Sequence, residues 1–122
     1  MTEESNKMLK SEAMKLVGEK IHKRLHDSNT MFSNRRRNEI WGFTRDNDHF
    51  NNDTHMILND HKKRQLHYFF IKSGTIQTPR AIFSQRQDKD CSTIVIPVSA
   101  NNFKEEYSGF LFGDYKAGTF SY

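Results

Sequence analysis

The sequence predicts an α+β fold in which one long amphipathic N-terminal helix packs on a mainly antiparallel sheet of about five or six strands. Apolar residues recur at steps of three and four up to about residue 26, and alternation of period two takes over after residue 30. Turn residues separate the later apolar runs. Ten Phe, four Tyr and one Trp supply large apolar side chains, so the chain can bury a core.

The length of 122 residues fits a single domain spanning residues 1–122. The chain has one cysteine, which excludes an internal disulfide and a zinc site built on cysteines. We therefore expect a reducing compartment and a cytoplasmic location. The N-terminus begins with acids and lacks the apolar segment of a secretory signal. No apolar run approaches the roughly 20 residues that span a bilayer, so no membrane contact is expected.

The predicted helix covers residues 3–26. Thr2 suits its N-cap, and two glutamates follow where the helix dipole favours anions. Gly18 is expected to weaken the middle of this helix by about 1 kcal/mol relative to alanine. The polar residues from Asp27 onward are expected to end it.

Six strands are predicted at residues 37–43, 54–59, 65–72, 93–98, 110–112 and 119–122, and residues 79–84 are a candidate for a further short strand. Residues 60–64 join the second and third of these as a hairpin. Pro79 indicates a sheet edge or the start of a strand, and Pro97 indicates an edge strand, because proline has no backbone N–H for a ladder. Residues 101–108 are predicted to form a helical turn.

The hairpin carries the most informative pair of residues. A turn centred near Lys62 and Lys63 pairs residues whose numbers sum to about 125, which sets Asp53 across from Lys72. A carboxylate and an ammonium group at the ends of paired strands could bind a divalent metal and a scissile phosphate. The alternative is that Asp53 caps a loop and Lys72 ends its strand in solvent.

The succession of helix, strand, aspartate, hairpin and an apolar strand ending in lysine resembles the restriction-endonuclease-like, or PD-(D/E)XK, nuclease superfamily over residues 10–75. The resemblance implies a catalytic set of Glu19, Asp53 and Lys72, with Asp53 as ligand of Mg²⁺. The family has an acid two positions before the lysine, where this chain has Phe70. Either the site is degenerate or another acid takes that role: Asp46, Asp48 or Asp60.

Positive charge is concentrated in the first third of the chain. The net charge is +4, and residues 7–37 contain nine Lys or Arg against three acids. Such a segment suits a polyanion, since Lys and Arg bind phosphate directly. A solvated helix face is the alternative. The residues predicted to bind DNA or RNA are Lys20, Lys23, Arg24, Arg35, Arg36 and Arg37.

The six histidines offer two further patterns. His22 and His26 are four residues apart on the predicted helix and so share a face, which is a metal-ligand spacing. His55 and His67 lie in the two hairpin strands and could act as a general acid and base on RNA. The loop around residues 46–53 lacks the glycine and glutamate of an EF-hand, which favours an Asn- and Asp-rich turn.

The leading hypothesis is therefore a nucleic-acid-directed protein: a degenerate nuclease-like domain that binds DNA through a basic helix and an arginine cluster, with Mg²⁺ if it is catalytic. One alternative is a non-catalytic protein-binding domain of the immunity, antitoxin or adaptor kind, with a protein partner or a homodimer. The other is a small ribonuclease toxin that uses histidine. Salt dependence of binding separates the first two.

Overall fold

A computed structural model describes residues 7–122 and confirms the α+β class. Helix α1 spans Lys10–Ile21 and the short helix α2 spans Pro79–Ile82. The seven strands are β1 Thr30–Asn34, β2 Ile40–Asp46, β3 Thr54–Asp60, β4 Gln65–Ile71, β5 Ser84–Gln85, β6 Cys91–Pro97 and β7 Lys116–Ser121. Short 3-10 turns lie at Asp27–Asn29, Asn47–Asn51, Asn101–Phe103 and Phe112–Tyr115.

The strands form two sheets where the sequence predicted one. The larger sheet has the order β1-β3-β4-β7 and the smaller has the order β2-β6-β5. The β1–β3 pairing is parallel, and the four other pairings are antiparallel. The hairpin register agrees with the prediction, because Thr54 pairs with Ile71 and the two numbers sum to 125.

The molecule has three layers, with α1 on one face of the larger sheet and the smaller sheet on the other. Ala13 and Val17 of α1 are fully buried against the larger sheet. A second, larger cluster fills the space between the sheets. Its largest fully buried side chains are Trp41, Phe50, Phe69 and Phe112. Because side chains alternate along a strand, successive residues of β3 and β4 contribute to the two clusters in turn.

Helix α1 is shorter than the predicted helix over residues 3–26. Its predicted start, with Thr2 as cap, lies outside the described residues. Its end at Ile21 is a local reversal of the chain: His22 adopts the left-handed conformation (φ 54°, ψ 44°), and the Lys23 N–H donates to the Gly18 carbonyl at 3.0 Å. This bond is the Schellman arrangement that closes a helix. His22 and His26 therefore do not share a helix face.

Gly18 is required by this reversal of the chain. A Cβ at position 18 would lie 2.7 Å from the carbonyl oxygen of Lys23. We expect Gly18→Ala to lower the free energy of unfolding by about 1–2 kcal/mol, because the steric cost exceeds the gain in helix propensity. Urea unfolding measures the change, with Ser11→Ala on the exposed side of the same helix as control. A higher free energy of unfolding for Gly18→Ala would contradict this, because it would mean that the Lys23 carbonyl can move away from the added methyl group at little cost.

Two further predictions are corrected by the structure, and a third, the helical turn over residues 101–108, is confirmed in part. Residues 79–84 form α2 and the start of β5, since a proline favours the first turn of a helix. Residues 110–112 form no strand, and Leu111 makes only an isolated bridge to Lys104. Residues 101–108 contain one 3-10 turn, after which the chain bends back on itself. No helix of the described chain is long and apolar enough to cross a membrane.

Candidate functional site

A groove lies between α1 and the segment that follows it, residues 22–27. The segment is attached to the helix at both ends. At one end the Lys23 N–H bonds to Gly18, and at the other Asp27 Oδ1 lies 2.9 Å from Lys10 Nζ. The groove has a volume of about 770 Å³, which is within the range of ligand sites in proteins.

We call this feature the basic groove. Leu25 is buried beneath it, and Met14 is half-buried in its wall. Its lining residues are Ser11, Met14, Lys15, Gly18, Glu19, His22, Lys23, Arg24, Leu25 and Asp27. An apolar base with polar, mainly cationic edges can hold a ligand that has both an apolar part and a negative charge.

The cations of this region are available to a ligand. Lys15, Lys20, Lys23 and Arg24 are all exposed, and none of them forms an ion pair with another described residue. The Lys23 ammonium lies 5.5 Å from the centre of the Phe70 ring, on the helix side of the larger sheet. Three of these cations are in the set predicted from sequence, and the groove adds Lys15.

Two histidines, His49 and His55, have pKa values below the ordinary value. Burial lowers the pKa of His49 to about 4, with further lowering by the nearby Arg45 and Lys10. Burial also lowers the pKa of His55, and Lys23 adds to that effect. In both rings burial is the larger cause, and the nearby cations act in the same direction.

The predicted catalytic pair lies at one end of the β3–β4 hairpin. Asp53 immediately precedes β3, and Lys72 immediately follows β4. Both side chains are exposed, and Asp53 Oδ1 accepts a hydrogen bond from the Ser73 N–H at 2.9 Å. Within residues 7–122, Asp53 and Lys72 form no ion pair. Asp53 thus caps the turn after β4, which is the structural role set out above as the alternative.

The other predicted acids are placed elsewhere. Glu19 lines the basic groove. Asp46 accepts a hydrogen bond from the Cys91 thiol, with 3.1 Å between Oδ1 and Sγ, and Asp60 forms an ion pair with Arg35. Phe70, in the place of the family's acid, contacts the His55 ring at 5.3 Å between centroids. In the described part of the chain, no three His, Cys, Asp or Glu side chains are placed to hold a metal ion.

Structural contacts engage part of the arginine cluster. The Arg35 guanidinium contacts the carboxylates of Glu39 and Asp60, and the Asp60 side chain is only 3% exposed. Arg36 donates to the Gly42 carbonyl at 3.2 Å. Arg37 is exposed in the turn that follows. Arg35 therefore compensates the buried charge of Asp60. Breaking this ion pair to bind a phosphate would leave the Asp60 carboxylate buried and unpaired, so Arg35 is a poor candidate for phosphate binding.

The structure does not bring His55 and His67 together. His55 is on the helix face of the larger sheet, where its Nδ1 lies 2.7 Å from the Tyr68 hydroxyl. His67 is on the opposite face, in contact with Trp41 and Phe103. Since alternate residues of a strand point to opposite faces, one catalytic pair cannot include both rings.

The basic groove itself was missed from the sequence. Its second wall exists only because the chain reverses after Ile21, whereas the helical periodicity continues to Leu25. The one local signal is Gly18, five residues before Lys23. Comparisons with protein-family models, with curated proteins and with solved structures each gave no match.

Proposed function

We propose that this protein binds nucleic acid through the basic groove and the exposed cations of α1. The observation that carries the proposal is that Lys15, Lys20, Lys23 and Arg24 are exposed together without ion-pair partners in the described chain. Binding a phosphate backbone then requires no internal ion pair to break, and the release of condensed counterions drives association.

Several cations elsewhere in the described chain differ from these four, because they are paired with acids. Arg80 contacts Asp90, Arg86 contacts Asp88, and Lys62 contacts Glu39, so those regions are locally compensated. Residues 10–27 contain five Lys or Arg against three acids, and one of those acids, Asp27, is paired with Lys10. Contributions from Arg36 and Arg37 stay a prediction. With its single cysteine buried, the chain suits the reducing cytoplasm, where we propose that it acts.

The proposal concerns binding. Cleavage with Mg²⁺ by a PD-(D/E)XK-like mechanism would need a second carboxylate beside Asp53 and release of Asp53 from Ser73. A cleavage assay on DNA and RNA, with Mg²⁺ and with EDTA, tests that extension separately from binding.

The test of binding replaces two cations of the segment, Lys23→Gln with Arg24→Gln. We expect the affinity for a labelled DNA or RNA oligonucleotide at low salt to fall roughly tenfold, with a shallower dependence on salt concentration. Fluorescence anisotropy measures both quantities. The matched control, Lys63→Gln with Lys89→Gln, removes the same charge from exposed positions elsewhere. Equal losses in the two variants, or no binding by the wild type at low salt, would refute the proposal.

A second candidate function is protein binding, and one loop favours it. Two of the large hydrophobic side chains exposed in the described chain lie close together in sequence: Tyr107 is 65% exposed and Leu111 is 40% exposed. The loop between them is held rigidly by the buried Glu105. An aromatic side chain on a preorganised loop is typical of an interface anchor. Binding to a protein partner or in a homodimer that barely depends on salt would favour this candidate.

A further inference from the structure

One acid of the basic groove has no partner. Glu19 is exposed in the groove wall and makes no hydrogen bond or ion pair with another described residue. The other acid, Asp27, is neutralised by Lys10 at 2.9 Å, which lowers the pKa of its carboxyl. The groove thus combines cationic edges with a single uncompensated group that can only accept hydrogen bonds.

This arrangement offers different positions to the phosphate and to the base of a nucleotide. A phosphate is attracted to Lys15, Lys23 and Arg24 but repelled by Glu19, so it is favoured at the edge of the groove. The interior offers the apolar side chains of the half-buried Met14 and the buried Leu25, which can contact the face of a flat ring. A base in a duplex has both faces stacked on its neighbours, and only an unpaired base can place its ring against the apolar interior while its amine reaches Glu19.

We infer that the basic groove holds an unpaired nucleobase whose exocyclic amine donates to the Glu19 carboxylate, while the flanking phosphates contact the cationic edge. This inference rests on the proposed function and makes Glu19 a specificity-determining residue. Cytosine carries an amine at the position where thymine carries a carbonyl oxygen, and a carboxylate accepts from the amine but repels the oxygen. The protein therefore prefers single strands rich in cytosine to those rich in thymine.

The experiment compares labelled single strands of only cytosine or only thymine, about 15 nucleotides long, which is near the footprint of one small domain. Anisotropy is measured at low salt in slightly alkaline buffer, where cytosine is unprotonated. We expect the wild type to bind the cytosine strand about tenfold more tightly than the thymine strand. Glu19→Gln should strengthen thymine binding and bring the ratio near one, because an amide can also donate.

Glu106→Gln is the matched control, since it removes the same charge from an exposed glutamate outside the groove. It should leave the preference for cytosine intact. Equal affinity of the wild type for both strands, or a preference that persists in Glu19→Gln, overturns the inference while salt-dependent binding still supports the proposed function. Tighter binding to a duplex of mixed sequence than to either strand also overturns it. If no strand or duplex binds, the proposed function fails along with the inference.

Discussion

Glu105→Ala is expected to lower the free energy of unfolding by about 4 kcal/mol, measured by urea unfolding. The Glu105 side chain is fully buried and accepts three backbone hydrogen bonds. Oε2 accepts from the Val95 N–H at 2.8 Å, and Oε1 accepts from Tyr107 at 3.1 Å and Ser108 at 2.8 Å. Alanine leaves these three N–H groups without an acceptor, and water replaces the lost carboxylate poorly at a buried position.

The position of Glu105 in the fold explains why the effect is large. Strand β5 pairs with β6 only at Ser92 and Thr93, so Val95 lies on an edge that β5 does not cover. The Glu105 carboxylate accepts a hydrogen bond from the Val95 N–H, and the Glu106 N–H donates to the Val95 carbonyl. These two bonds cover the open edge of β6. Loss of Glu105 therefore releases both the loop and the edge of the smaller sheet.

Two variants sharpen the Glu105 experiment. Glu105→Gln keeps the shape but has only one acceptor oxygen, so we expect a loss of about 2 kcal/mol, roughly half that of alanine. Glu106→Ala changes the exposed neighbour, whose bond to Val95 uses the backbone, and should leave stability within about 0.5 kcal/mol of wild type. Similar losses for Glu105→Ala and Glu106→Ala would contradict the assigned role of the buried carboxylate.

The sequence predicted those features that depend on local patterning. The β3–β4 hairpin and its register follow from alternation of apolar residues on either side of a charged turn. Strand β1 was not predicted because it is short and its partner is distant in sequence, with Thr30 opposite His55. The division into two sheets also escaped prediction, since alternation indicates a strand but does not identify its neighbour.

The candidate site was predictable in composition but not in shape. The excess of cations up to residue 37 is visible in the sequence, whereas their availability depends on which acids the fold brings near. Arg35 meets Asp60 from a strand that ends 25 residues later, so its pairing has no local signal. Glu105 illustrates the same limit. Acids in polar stretches of sequence are normally exposed, and only the folded structure shows that this side chain is buried.

Acidification is expected to destabilise the fold before its paired carboxylates are protonated. Burial, with help from nearby cations, lowers the pKa of both His49 and His67 to about 4. In the unfolded chain these rings titrate near the ordinary value of about 6.5. Since the folded state disfavours their protonation, the stabilisation is complete above about pH 6.5 and is lost as the pH falls towards 4.

We expect the free energy of unfolding to decrease by on the order of 2 kcal/mol per histidine between about pH 7 and 4.5, after allowance for partial exposure. His55 acts in the same direction, because its pKa is also lowered. The carboxyls of Asp27 and Asp90 have pKa values below their usual range. They lose stabilisation only at lower pH, so the histidine window can be measured by itself.

Urea unfolding at several pH values, with NMR titration of the imidazoles, tests this expectation. The double variant His49→Phe and His67→Phe should flatten the dependence, since the His49 ring contacts Phe50 and the His67 ring contacts Trp41 and Phe103, neighbours that accept a phenyl group. The control, His22→Gln with His26→Gln, alters exposed rings and should leave the slope unchanged. A buried ring that titrates near pH 6.5 in the folded protein would contradict the argument, because the link between proton uptake and unfolding depends on that difference.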